Sequence, residues 1–146
     1  MSYADGGDLS NKIKATREAN MTFTEDQILD WFTQICLGLK HCHDRKILHR
    51  DLKAGNVFLC QNGLVKLGDF GIAKVLNSTV EKAQTIVGTP YYLSPEIIKN
   101  QSYDHRTDIF SLGVVMYYMA ALEVPFKDQN YDGLMNKILY KQPLPF

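Results

Sequence analysis

The chain has 146 residues, 45% hydrophobic and 22% charged, a size and balance that suit one domain with its own core. Lys plus Arg number 16 and Asp plus Glu 16, so no net positive charge exists to draw the chain onto nucleic acid or an anionic membrane. Cys36, Cys42 and Cys60 form no C-x-x-C pair and are odd in number, which argues against a disulfide framework and for a reducing compartment.

Residues 1–8 are neither a basic leader nor an apolar signal segment. Thr24-Glu25-Asp26-Gln27 reads as a capping box that opens the first clear helix. Its two acids suit the positive end of the helix dipole. Ile28, Phe32, Ile35, Leu39 and Cys42 then mark one apolar face, and the pattern ends near Asp44-Arg45-Lys46. Cys36 and Cys42 fall inside it and are expected to be buried, inert thiols.

Val57-Phe58-Leu59 and Leu64-Val65-Lys66-Leu67 are short strands around Gln61-Asn62-Gly63. Gly63 can take a positive φ, which predicts a tight hairpin. Residues 69–95 read as irregular, broken by Gly71, Gly88, Pro90 and Pro95. A connection that long inside one domain usually serves function. Thr107 or Asp108 starts an apolar helix that stops near Pro125, with Asp108 a good N-cap. The apolar run at 109–122 is shorter than the roughly 20 residues a membrane span needs, so it is expected to be a core helix of a soluble protein. A short amphipathic stretch with Leu134, Ile138 and Leu139 follows. His41, His43 and His105 are expected at the surface or in packing, and Lys82, Lys99 and Lys127 as solvated charges.

Two clusters carry chemistry. His49-Arg50-Asp51-Leu52-Lys53-Ala54-Gly55-Asn56 precedes the hairpin and Asp69-Phe70-Gly71 follows it. The hairpin brings its two ends together, so Asp51, Asn56 and Asp69 can converge on one pocket.

These residues resemble the catalytic loop, H-R-D-L-x-x-x-N, and the D-F-G motif of protein kinases. Residues 88–96, Gly-Thr-Pro-Tyr-Tyr-Leu-Ser-Pro-Glu, resemble the end of a kinase activation segment, with Ser94 where Ala is usual. Asp108-Ile109-Phe110-Ser111-Leu112-Gly113 resembles the start of the lobe-anchoring helix, with Phe110 where Trp is usual. Gly6-Gly7-Asp8-Leu9, Asn56-Val57-Phe58-Leu59 and Gly68 before the D-F-G motif are similar to the NIMA-related kinase family.

The resemblance implies an α+β kinase-like fold, a mainly helical C-lobe with a short hairpin. It implies a serine/threonine kinase that uses ATP and Mg²⁺ on protein substrates, with regulatory protein partners and neither nucleic acid nor membrane. Asp51 would orient the substrate hydroxyl; an ordinary Asp pKa of about 3.9 makes it a weak base. Lys53 would contact the transferred phosphate, and Asn56 and Asp69 would hold Mg²⁺. Tyr3 and Ala4 would bond adenine through their backbone, behind a gatekeeper at Met1. Asp8 would reach the ribose, unless it is an ordinary turn residue, and Phe58 would lie under the adenine ring. Thr85 matches the activating phosphorylation position, Arg50 the arginine that receives its phosphate, and Thr89 the threonine that bonds Asp51 and Lys53. His49 would pack near Phe70, and Asp108 would anchor the backbone around His49 and Arg50. Tyr118 stands where many kinases have Glu, which bears either on basic substrates or on packing.

The similarity begins at the hinge, so the chain is expected to be a partial kinase domain over 1–146 with the N-lobe absent. The Gly-rich loop, the β3 Lys and its αC Glu would lie before it, and the Arg that pairs with Glu96 after it. Such a chain is expected to transfer phosphate weakly or not at all by itself. A catalytically inactive lobe acting as a regulatory or binding module, or a pseudogene product, is the other class. The family implies a cytoplasmic site, with centrosome, cilium or nucleus as variants.

Overall fold

The computed structural model describes residues 5–68, 90–102 and 104–145. The elements run α1 (Leu9–Glu18), α2 (Glu25–Asp44), a 3₁₀ turn (Ala54–Asn56), β1 (Val57–Leu59), β2 (Val65–Leu67), α3 (Pro95–Ile98), α4 (His105–Ala121) and α5 (Tyr131–Tyr140).

Helix α1 has no counterpart in the periodic reading. It buries only Leu9 and Ile13, one turn apart, too few for a pattern to register. Its start is fixed by Asp8, whose Oδ1 accepts the Asn11 amide at 2.9 Å and whose Oδ2 accepts Asn11 Nδ2 at 2.6 Å.

Helix α2 begins where the sequence places it, with Gln27 N donating to Thr24 Oγ1 at 3.2 Å. Its buried stripe is Trp31, Ile35 and Leu39, each four residues apart, with Ile28, Phe32 and Cys36 packed at its flank. Trp31 therefore displaces Phe32 from the centre of the expected face. Phe23, just before the cap, meets the Trp31 ring edge-on at 5.1 Å, which gives the indole a partner at the helix entry. Cys36 and Cys42 are half-buried rather than buried, and burial still pushes both thiols up, toward the inert protonated form.

The hairpin pairs antiparallel with Val57 opposite Leu67, Phe58 opposite Lys66 and Leu59 opposite Val65. Gly63 turns the chain at φ 84°. Leu64, expected as the first residue of the second strand, lies outside it and is 54% exposed. Residues 5–8 run alongside β1: Gly6 N donates to Leu59 O at 3.0 Å and Leu59 N to Gly7 O at 2.8 Å. A Cβ on Gly6 would sit 2.7 Å from Leu59 O, so this approach requires glycine. On the far side of the hairpin, Gln34 of α2 accepts the Val65 amide at 2.8 Å and donates to Gly63 O at 3.0 Å.

Helix α4 begins two or three residues before the expected point. Asp104, not Asp108, is its N-cap, taking the Arg106 amide at 2.8 Å. The polar turn of His105 and Arg106 hides this start from a reading that follows apolar residues. Leu122, in the left-handed region at φ 56°, ends the helix. In α5 the buried residues are Leu134, Met135 and Ile138, while the expected Leu139 is only half-buried.

The main core joins Leu9 and Ile13 of α1, the α2 stripe, Val57, Leu59 and the inner face of α4. A second cluster joins Phe126, Leu134, Met135 and Ile138 with Leu93, Ile98 and Phe110, and Tyr91 touches both. Tyr118 is buried in the main core, so it serves packing. Lys99 and Lys127 are exposed, as expected of solvated charges; Lys127 also pairs with Glu123 at 2.6 Å, and Lys99 lies 6.0 Å from the Tyr140 ring centre. Among the described residues, no helix is long and apolar enough to cross a membrane.

Candidate active site

The loop that follows α2 is held by one carboxylate from α4. Asp108 is buried; its Oδ2 accepts the His49 amide and its Oδ1 the Arg50 amide, both at 2.9 Å. These bonds span 59 and 58 residues of sequence. They hold Arg50 at φ 65°, a left-handed conformation that a non-glycine residue adopts only when its surroundings enforce it. The same Oδ2 lies 2.7 Å from His43 Nε2 at the end of α2. His43 is thus a bonded partner of a buried acid, beyond the surface or packing role expected for it. Its ring also meets His105 edge-on at 5.9 Å. No sequence pattern flags a contact between residues 65 apart.

With its two predecessors anchored, Asp51 is turned toward Lys53 and Asn56. Asp51 Oδ2 is 3.1 Å from Lys53 Nζ and accepts Asn56 Nδ2 at 3.1 Å. Asn56 Nδ2 also donates to the Asp51 carbonyl at 2.8 Å. The 3₁₀ turn folds Asn56 back over five residues, and the side chain is 4% exposed. Asp51 and Asn56 therefore meet as the sequence expects, with Lys53 beside them, while Asp69, the third residue expected there, lies outside the described residues. Both Asn56 Nδ2 bonds point to Asp51, which turns the carbonyl Oδ1 the other way. That oxygen is a hard, neutral donor of the kind Mg²⁺ takes. Among the described residues, no group of three His, Cys, Asp or Glu could hold a metal ion.

His49 is fully buried, and burial pushes its imidazole below the ordinary value against the pull of Asp108 and Asp51. It stays neutral beside the site, a packing group.

Asp8 and Phe58 form a backbone bridge, so the two expected nucleotide contacts from distant segments lie side by side. Phe58 is half-buried across Gly68: a Cβ there would fall 2.5 Å from Phe58 Cε2. Asp8 also acts as the helix cap already described, a local role close to the turn reading.

Tyr92 was not expected in the site. Its hydroxyl lies 3.5 Å from the Ala54 amide, and burial raises the phenol to about 12. Only its position in the Gly-Thr-Pro-Tyr-Tyr segment hinted at it. Met1, Tyr3, Ala4, Asp69, Phe70, Lys82, Thr85 and Thr89 lie outside the described residues.

Residues 1–144 match the protein kinase domain family. The chain is 59% identical over 139 residues to serine/threonine-protein kinase Nek5 of Homo sapiens, covering 94% of this chain and 19% of that protein. It is 58% identical over 139 residues to serine/threonine-protein kinase Nek1 of Mus musculus, covering 95% of this chain and 11% of the relative. Over 147 residues it is 50% identical to serine/threonine-protein kinase Nek3 of Mus musculus, covering 99% and 28%. The chain thus spans under a third of the length of these relatives. The fold, the loop held by Asp108 and these matches agree: the chain belongs to the protein kinase domain family, in its NIMA-related branch.

Proposed function

We propose that this chain carries the catalytic loop of a serine/threonine protein kinase that moves the γ-phosphate of ATP to Ser and Thr hydroxyls of proteins. The observation that carries the reading is the meeting of Asp51, Lys53 and Asn56 within 3.1 Å of one carboxylate oxygen. Phosphoryl transfer has a loose, highly charged transition state, so positioning and electrostatics do most of the work. Asp51 accepts the hydrogen bond of the substrate hydroxyl and aims its oxygen at phosphorus. The O–P bond to the substrate forms as the bond to the ADP oxygen breaks, and the hydroxyl proton passes late to Asp51. Lys53 sets a cation beside the transferred phosphoryl oxygens. Asn56 and Asp69 would hold Mg²⁺, which when bound neutralises charge on the phosphates. Tyr3, Ala4, Asp8 and Phe58 receive the nucleoside, and Thr85, Arg50 and Thr89 tune the loop.

The test uses the full-length protein with ATP, Mg²⁺ and a generic protein substrate. Asp51→Ala is expected to lower kcat by about 10²–10⁴-fold while the protein stays folded. Undiminished transfer by that variant would overturn the reading. Thr85→Ala is expected to lower activity and to remove the phosphate that mass spectrometry finds on the activated protein; a fully active variant would reject that role.

A further inference from the structure

The first two turns of α4 bury three polar residues, Thr107, Asp108 and Ser111. Between them they reach two other segments. Asp108 holds the catalytic-loop amides, as described above. Ser111 Oγ donates to Tyr92 O at 2.9 Å. Thr107 Oγ1 donates to Glu96 Oε1 at 2.7 Å, binding α3 to α4. Ser94 is fully buried next to this bond, with its Oγ 3.5 Å from Thr107 Oγ1, a looser contact. Burial alone would raise the Glu96 carboxyl, but hydrogen bonds from Thr107, its own amide and Ser94 hold it below the ordinary glutamate range. Glu96 is therefore a charged acceptor, and hydrogen bonds to charged groups are the stronger kind.

We propose that Thr107 is a positioning residue that keeps segment 90–98 in register with the catalytic loop. Thr107 grips Glu96 while its neighbour Asp108 grips His49 and Arg50, so two adjacent residues on one rigid helix fix the spacing of the two segments. Tyr92 lies in the first segment and reaches Ala54 in the second, three residues from Asp51. Losing the Thr107 grip lets segment 90–98 drift from Asp51. The Asp8 and Phe58 side of the site, built on β1, is left in place. The proposal deepens the kinase reading and rests on it for its effect on catalysis.

The experiment compares Thr107→Val, which keeps the shape and removes the hydroxyl, with Thr107→Ser, which restores it, in the full-length protein. Two quantities are read. The first is hydrogen exchange at the Ile98 and Lys99 amides, which bond to Ser94 O and Pro95 O in α3. The second is the kinetic split between protein substrate and ATP. Thr107→Val is expected to speed exchange at those amides about tenfold and to lower kcat/KM for the protein substrate about tenfold. KM for ATP should change less than about twofold, and Thr107→Ser should return both readings to the parent's. A general loss of folded protein would lower kcat alone and speed exchange throughout, which would overturn the proposal. Unchanged exchange and kinetics in Thr107→Val would overturn it too. A folded but inactive parent whose exchange still follows this pattern would reject the kinase reading and confirm the α3–α4 grip.

Discussion

Helices α2 and α4 lie against each other, yet they are built on opposite plans. Helix α2 has one apolar stripe, Trp31, Ile35 and Leu39, and leaves Leu37 and Lys40 in solvent. Helix α4 buries one broader face, polar at its start and apolar from Leu112 to Met119. An amphipathic helix is secured by area removed from water, and its sequence advertises the face. A buried face can also hold polar groups, provided that each finds a partner. Thr107 and Ser111 find theirs in segment 90–98, and Asp108 finds its own in the catalytic loop. The apolar plan gives stability; the polar plan gives placement.

The largest expected effect comes from breaking the polar plan. Asp108→Ala leaves the buried His49 amide, the part-buried Arg50 amide and His43 without their partner, and should cost about 3–5 kcal/mol in chemical denaturation. It should also abolish phosphate transfer, since Arg50 then loses what holds it at φ 65°. A stable, active Asp108→Ala protein would refute the division of labour. Breaking the apolar plan with Ile35→Ala should cost about 2–5 kcal/mol through lost burial and a cavity. Its effect on kcat per folded molecule should be small. A variant that keeps full stability but loses turnover would show that α2 places as well as supports.

The smallest effect concerns the loop that α4 holds. His49 has its folded pKa below the ordinary 6.5 because of burial. The unfolded chain therefore binds more protons in the window between the two values. Stability is full above about pH 6.5 and falls as pH drops through that window. Urea midpoints measured against pH should show this slope in the parent and a flatter one in His49→Gln. Equal slopes would mean that His49 is not the group concerned.

What could be read in advance divides along the same line. Thr24, Gly63 and the apolar face of α2 are local signals, and they place a cap, a turn and most of a stripe. Asp51, Lys53 and Asn56 are close in sequence, so their meeting was legible too. Helix α1 was missed because two buried residues make no period. The start of α4 was misplaced because its cap precedes a polar turn. Trp31 was overlooked because its partner Phe23 precedes the helix. The bonds of Asp108 to the loop were expected only through the family resemblance. Its bond to His43 was not expected at all, since only folding brings those residues together.

The two-stranded hairpin has a consequence for association. A pair of strands normally offers two open edges, each a template for another chain. Leu59 and Val65 face each other across the pair; Leu59 has both outward groups occupied and Val65 its amide. Gly6 and Gly7 take those of Leu59, and the Gln34 side chain takes the amide of Val65. A passing strand must first evict a glycine backbone on one side or a helix side chain on the other. At these positions the hairpin is covered against strand addition by backbone on one edge and by a helix side chain on the other.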